Sequence, residues 1–175
     1  GENVFTVDNQ ELSDNFADRF YMTNVTVRIT NEYLTGENAK RYQFAYWAIN
    51  SVAVSSNPIY TFTVGLGEMN VTAVFEPVTY GVNAYVVRWN PETNSYIELP
   101  NAGGIDGIYA YNYKYGDKLV LTESTNEGYR FAGWYLWSTS STTPRGTFVT
   151  NENLLEFFID GMYRVYANFE PVSII

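Results

Sequence analysis

Carboxylates are the main acid–base groups of this chain: 19 Asp and Glu stand against no His and no Cys. An imidazole base, a thiolate nucleophile and His- or Cys-built zinc sites are excluded together. Two carboxylates facing each other across a cleft would suffice for glycoside hydrolysis. No pair among the 19 is singled out by spacing, so no enzyme is expected. Asp8-Asn9-Gln10-Glu11-Leu12-Ser13-Asp14 and Gly104-Ile105-Asp106-Gly107 have the oxygens of a calcium loop. Neither has the alternating ligands ending in Glu that such a loop needs, and both read as turns. The Ser and Thr runs lack a base, which removes a hydrolase triad. Gly65-Leu66-Gly67 and Gly103-Gly104 are hairpin glycines, since no Lys-Ser/Thr follows to hold phosphate. No metal or cofactor is expected.

The formal net charge is −9, with only 10 Lys and Arg, and Lys40-Arg41 is the one adjacent basic pair. Phosphate backbones and anionic lipid surfaces both require clustered cations. Nucleic acid is therefore set aside as a partner. No apolar run approaches the ~20 residues of a membrane helix, so no membrane insertion is expected. The acidity serves solubility, and the isolated fragment is expected to be monomeric. No signal-peptide pattern is visible. The opening Gly1 suggests an excised fragment whose targeting segments lie outside it.

Aromatic residues make up 18% of the chain: 16 Tyr, 11 Phe and 4 Trp. They are organised by a repeat. Arg41-Tyr42-Gln43-Phe44-Ala45-Tyr46-Trp47 returns as Gly128-Tyr129-Arg130-Phe131-Ala132-Gly133-Trp134. Each run is followed by a strand ending in Phe-Glu-Pro-Val, at 75–78 and 169–172. Tyr21 and Tyr115 lie 94 residues apart, Phe44 and Phe131 lie 87 apart, and Phe75 and Phe169 lie 94 apart. The offset shrinks and recovers, so each copy carries one loop insertion. These fall near 34–40 and 139–147, both of turn-like composition. A repeated aromatic framework usually packs inward, so Trp47 and Trp134 read as core anchors.

Strands must carry this framework. Val25, Val27 and Ile29 alternate with polar residues, as do Leu119 and Leu121. Apolar runs at 59–64 and 154–159, and closing strands at 71–75 and 165–169, complete each copy. Val82–Trp89 and Ser95–Leu99 flank Asn90-Pro91-Glu92-Thr93-Asn94, a hairpin connection. A Tyr-rich strand is expected over 108–115. Residues 10–20 read as a short helix or a loop. Residues 1–20 match 95–114 poorly, so the amino end of the first copy reads as truncated or atypical. Phe131 and Trp134 have opposite strand parity, as do Phe44 and Trp47. If both are core, the strand must bulge between them, with Gly133 as the permissive residue. Tyr46 offers no such freedom, and its bulge is expected to be less regular.

These residues resemble the divergent InlB B-repeat family of bacterial surface proteins. The second copy carries the family's pattern: Gly116-Asp117-Lys118-Leu119-Val120-Leu121-Thr122, then Gly128 to Trp134, then Ala167-Asn168-Phe169. The first copy departs from it, with Met22-Thr23, Arg41 and Tyr46 in place of the Gly-Asp and glycines. The resemblance covers about residues 21–77 and 82–171. It implies small β-rich modules in tandem, some related ones being β-grasp-like. It also implies a secreted or cell-surface bacterial location, and no catalysis.

The expected architecture is all-β, with little or no helix. Residues 1–78 form a first module and residues 79–175 a second, with Pro77 stopping a strand at the junction. The expected role is a non-catalytic spacer or adhesion segment with an unidentified protein or glycan partner. The alternative is a carbohydrate-binding module. Its candidate residues are the aromatics outside the shared framework: Trp137 with Tyr135, and Trp89 with Tyr85.

Overall fold

The computed structural model describes residues 4–12, 16–109 and 112–173. The chain divides into two compact units, Gly1–Val78 and Thr79–Ile175.

The first unit contains β1 (Phe5–Val7), β2 (Asn24–Ile29), a single-turn helix α1 (Asn31–Leu34) and a 3-10 turn (Glu37–Lys40). It continues through β3 (Tyr42–Ile49), β4 (Val52–Ser55), β5 (Ile59–Thr63) and β6 (Val71–Pro77). Two three-stranded sheets result, ordered β1-β2-β5 and β4-β3-β6, all antiparallel. The alternation in β2 is realised: Val25, Val27 and Ile29 are buried, against Trp47 from the other sheet. α1 leads into the first loop insertion near 34–40 and the 3-10 turn lies within it, where the sequence suggested only turn chemistry. Gln10 bridges Val7, and residues 16–20 carry no regular structure. Ser13 and Asp14, which complete the first calcium-like run, lie outside the described residues.

The second unit contains β7 (Thr79–Tyr80), β8 (Val82–Asn90), β9 (Ser95–Glu98), β10 (Gly103–Asp106) and β11 (Tyr113–Lys114). It closes with β12 (Lys118–Thr125), β13 (Tyr129–Ser138), β14 (Thr147–Thr150), β15 (Leu154–Phe158) and β16 (Tyr163–Pro171). The sheets are β10-β12-β15 and the five-stranded β14-β13-β16-β8-β9, with a small β7-β11 pair. β8 runs parallel to β16, and the other pairings are antiparallel. A grasp fold lays a helix across such a sheet. Here β10-β12-β15 supplies the opposing layer: Leu119, Leu121 and Leu155 pack with Trp134, Val165 and Phe169. The expected Tyr-rich strand over 108–115 is only the two-residue β11. Gly107 takes φ +113°, its N–H bonds the Asp106 carboxylate at 2.9 Å, and the chain leaves the sheet there. Ala110 and Tyr111 lie outside the described residues.

Six strands of the first unit pair as six strands of the second do. β1, β2 and β5 correspond to β10, β12 and β15; β4, β3 and β6 correspond to β14, β13 and β16. The register explains why residues 1–20 match poorly by sequence. Thr6 faces Arg28 where Asp106 faces Thr122, which aligns residues 100 apart instead of 94. The hairpin β8–β9 has no counterpart among the described residues of the first unit.

The aromatic framework is the core of each unit. Trp47 and Trp134 are fully buried. Their indole N–H groups donate to backbone carbonyls, of Asn57 at 2.9 Å and Glu152 at 3.1 Å. Phe44 packs on Trp47 at 5.4 Å and on Phe75 at 5.8 Å; Phe131 packs on Trp134 and Phe169, each at 5.4 Å. Each such pair contributes about 0.5–1.5 kcal/mol beyond simple area burial. The register slips between Phe44 and Tyr46 and between Phe131 and Gly133, so both strands bulge at the same place. Gly133 sits at φ +118°, whereas Tyr46 keeps a negative φ. The extra residue, Ala45 or Ala132, restores parity and brings both Phe and Trp inward.

Candidate functional site: an aromatic sheet face

Strand parity determines which face of the five-stranded sheet is left for other work. Val165, Ala167 and Phe169 of β16 point into the core. Arg164, Tyr166 and Asn168 therefore point to the opposite face. Register then draws an aromatic row across four strands. Phe148 faces Tyr135, Tyr135 faces Tyr166, and Tyr166 faces Tyr85. A second row places Trp137 opposite Arg164. On β9, Tyr96 sits opposite Trp89 and stacks on Tyr166 at 4.1 Å.

This face belongs to the second unit alone. The pair Tyr135–Tyr166 corresponds to Ala48–Thr72 in the first unit, and Trp137 corresponds to Asn50. These aromatics thus lie outside the buried core clusters of the two units.

The loop after β13, residues 139–146, folds over the face. The Ser141 hydroxyl accepts from the Ser138 N–H at 2.9 Å, and Ser141 N–H returns to the Ser138 carbonyl at 2.9 Å. Gly146 takes φ +77°, and a Cβ there would lie 2.4 Å from the Leu136 carbonyl oxygen. That close approach sets Arg145 on the sheet. Its guanidinium lies 4.6 Å from the Tyr135 ring centre and 5.3 Å from that of Trp89. The Tyr96 hydroxyl donates to the Arg145 backbone carbonyl at 2.7 Å. Burial pushes the Tyr96 phenol well above the ordinary range, and the Arg145 charge offsets this only in part. Arg164 covers one face of Trp137 at 4.6 Å.

An open groove of about 710 Å³ runs beside this cluster. Its floor includes Tyr85, Tyr96, Val87 and Tyr166, and Trp137 and the loop 141–144 form its wall. Of the four sequence candidates, Tyr85 and Trp137 line the groove. Tyr135 and Trp89 lie next to it, held by Arg145. All four share one face. Sequence reasoning missed Tyr96, Tyr166, Arg164 and Arg145. The first two had a signal: Tyr96 lies across the expected hairpin from Trp89, and Tyr166 has outward parity in the closing strand. Arg145 had none, because a loop side chain is placed by tertiary contacts.

An aromatic floor with a rim of Glu98, Arg164 and hydroxyls can stack on a flat apolar ligand face and bond its polar edge. Among the described residues, no group of three or more His, Cys, Asp or Glu is placed to hold a metal ion. No helix among them is long and apolar enough to cross a membrane.

Residues 98–173 match the family model of the divergent InlB B-repeat domain. That span runs from the end of β9 through β16, so it takes in the framework core and the loop bearing Arg145. Neither the curated proteins nor the solved structures gave a match.

Proposed function

We propose that this chain is a non-catalytic repeat segment of a bacterial surface protein, serving as a spacer or adhesion module outside the cell. One observation carries the reading: the family match at 98–173 lies on a core whose strand pairing the first unit repeats. Where two units share a core and differ in their faces, function is to be sought on the faces. In this reading the first unit is a divergent relative of the second. The test is antibody labelling of intact producing cells. Surface labelling without permeabilisation is the expected result, and labelling only after permeabilisation would overturn it.

The aromatic groove favours carbohydrate binding as a second reading. Tyr85, Tyr96, Trp137 and Tyr166 present ring surface beside polar groups, which suits a sugar's apolar face and hydroxyl rim. A glycan array with the wild-type chain and Trp137→Ala tests it. Binding that the substitution weakens about tenfold supports sugar recognition. Absence of binding to any glycan removes it and leaves the display role standing.

A further inference from the structure

The two units differ at one sheet edge. In the second unit β16 is flanked by β13 and β8, and Val165, Ala167 and Phe169 are completely buried. Among the described residues of the first unit, β6 ends its sheet, paired with β3 alone. Val71, Ala73 and Phe75, the counterparts of those three residues, are only half-buried. An apolar groove of about 320 Å³ lies along them, bounded by Phe5 of β1 and Tyr33 of α1. Tyr33 packs on Phe75 at 5.5 Å and closes one end, leaving Val71 and Ala73 uncovered by it.

The second unit shows what fills this place. Val82 is buried there, and Ala84 and Val86 pack on the core beside Ile105 of β10, the counterpart of β1. The backbone of β8 pairs in parallel with β16 from Tyr163 to Asn168. An edge strand beside an apolar groove is a template for strand addition.

We propose that β6 and its groove form an acceptor site for a β-strand supplied by a separate polypeptide. The added strand would run parallel to β6. It would carry small or branched apolar residues at alternate positions, as β8 does with Val82, Ala84 and Val86. The interface so formed would repeat, in the first unit, the pairing that β8 makes with β16 in the second. This site is independent of the display and sugar-binding readings.

The probe is a synthetic peptide of residues 82–99, titrated into the full ¹⁵N-labelled chain. The expected result is shift changes concentrated at Val71–Phe75, Phe5 and Tyr33. A second sample fuses the same peptide through a flexible linker to the amino end of the chain. There the amides of β6 should exchange at least about tenfold more slowly than in the unfused chain. Ala73→Asp, which puts a charge into the groove, should abolish both responses. Unchanged exchange in the fusion would overturn the site itself. Protection in the fusion without any response to the free peptide would overturn supply by a separate chain. Shifts confined to the second unit would mean that the peptide competes with β8, and would equally overturn the proposal.

Discussion

Arg145 holds its guanidinium 4.6 Å from the ring centre of Tyr135, which fastens the loop of residues 139–146 to the outer face of the second unit's large sheet. Trp89 lies on the same cation at 5.3 Å. Partly desolvated cation–π contacts are worth about 0.5–2 kcal/mol each. Arg145→Ala should therefore destabilise the chain by about 1–2 kcal/mol in urea unfolding. It should also move the indole N–H resonance of Trp89. Arg145→Lys keeps the charge without the planar stack and should recover only part of the loss. An unmoved Trp89 resonance in both variants would show that the loop is held by its backbone bonds instead.

The bulge in β13 makes a second prediction. A Cβ on Gly133 would lie 2.7 Å from the Phe148 ring, at a φ of +118°. Gly128 also has positive φ, +86°, but nothing lies within 4 Å of its would-be Cβ. Gly128→Ala should cost about 1 kcal/mol, the conformational penalty alone. Gly133→Ala should cost about 2–4 kcal/mol, since the steric clash adds to it. Urea midpoints of the two variants decide, and equal losses would show that Phe148 yields freely.

Asn168 is the one polar residue among the fully buried side chains of the described residues. Its side-chain oxygen accepts from the Trp89 backbone N–H at 2.9 Å, just past the paired stretch of β8. The first unit has Val74 at this place, on a β6 that carries no further strand among the described residues. Asn168→Val should leave that N–H unpaired and cost about 1–3 kcal/mol. Amide exchange at Trp89 should speed up more than exchange at Val86. Unaltered exchange at Trp89 would mean that another acceptor replaces Asn168.

Much of this architecture was readable because repeats and parity are local. The alternation of Val25, Val27 and Ile29 marks a half-buried strand, and the opposite parity of Phe131 and Trp134 demands the bulge at Ala132. β1 was missed because Phe5–Val7 is short and its offset to β10 departs from that of the framework. The helical turns over 31–40 were missed because one-turn elements leave no period to detect. The four aromatic candidates were chosen for lying outside the shared framework, and parity alone could have added Tyr166. Arg145 was out of reach, since its position depends on Gly146 pressing against Leu136. So was the open edge of β6, because which strands pair is a property of the sheet and not of any one strand.

Alkaline pH supplies the last prediction. The Tyr163 phenol donates to the Asp160 carboxylate. Burial, and then that carboxylate, push its pKa up to about 12. An unfolded tyrosine titrates near 10. The folded state therefore holds its proton where the unfolded state releases it. A group with a raised folded pKa gives its full stabilisation below the unfolded value and loses it as pH rises through the folded one. Stability should hold up to about pH 10 and fall between about pH 10 and 12. Tyr96 acts in the same direction through its own burial. Tyr163→Phe removes one titrating group, so its urea midpoint should be lower than wild type at pH 8 and should decline less steeply from pH 9.5 to 11.5. Parallel declines in the two proteins would place the alkaline loss elsewhere, in the growing repulsion of a chain that already carries a net charge of −9 at pH 7.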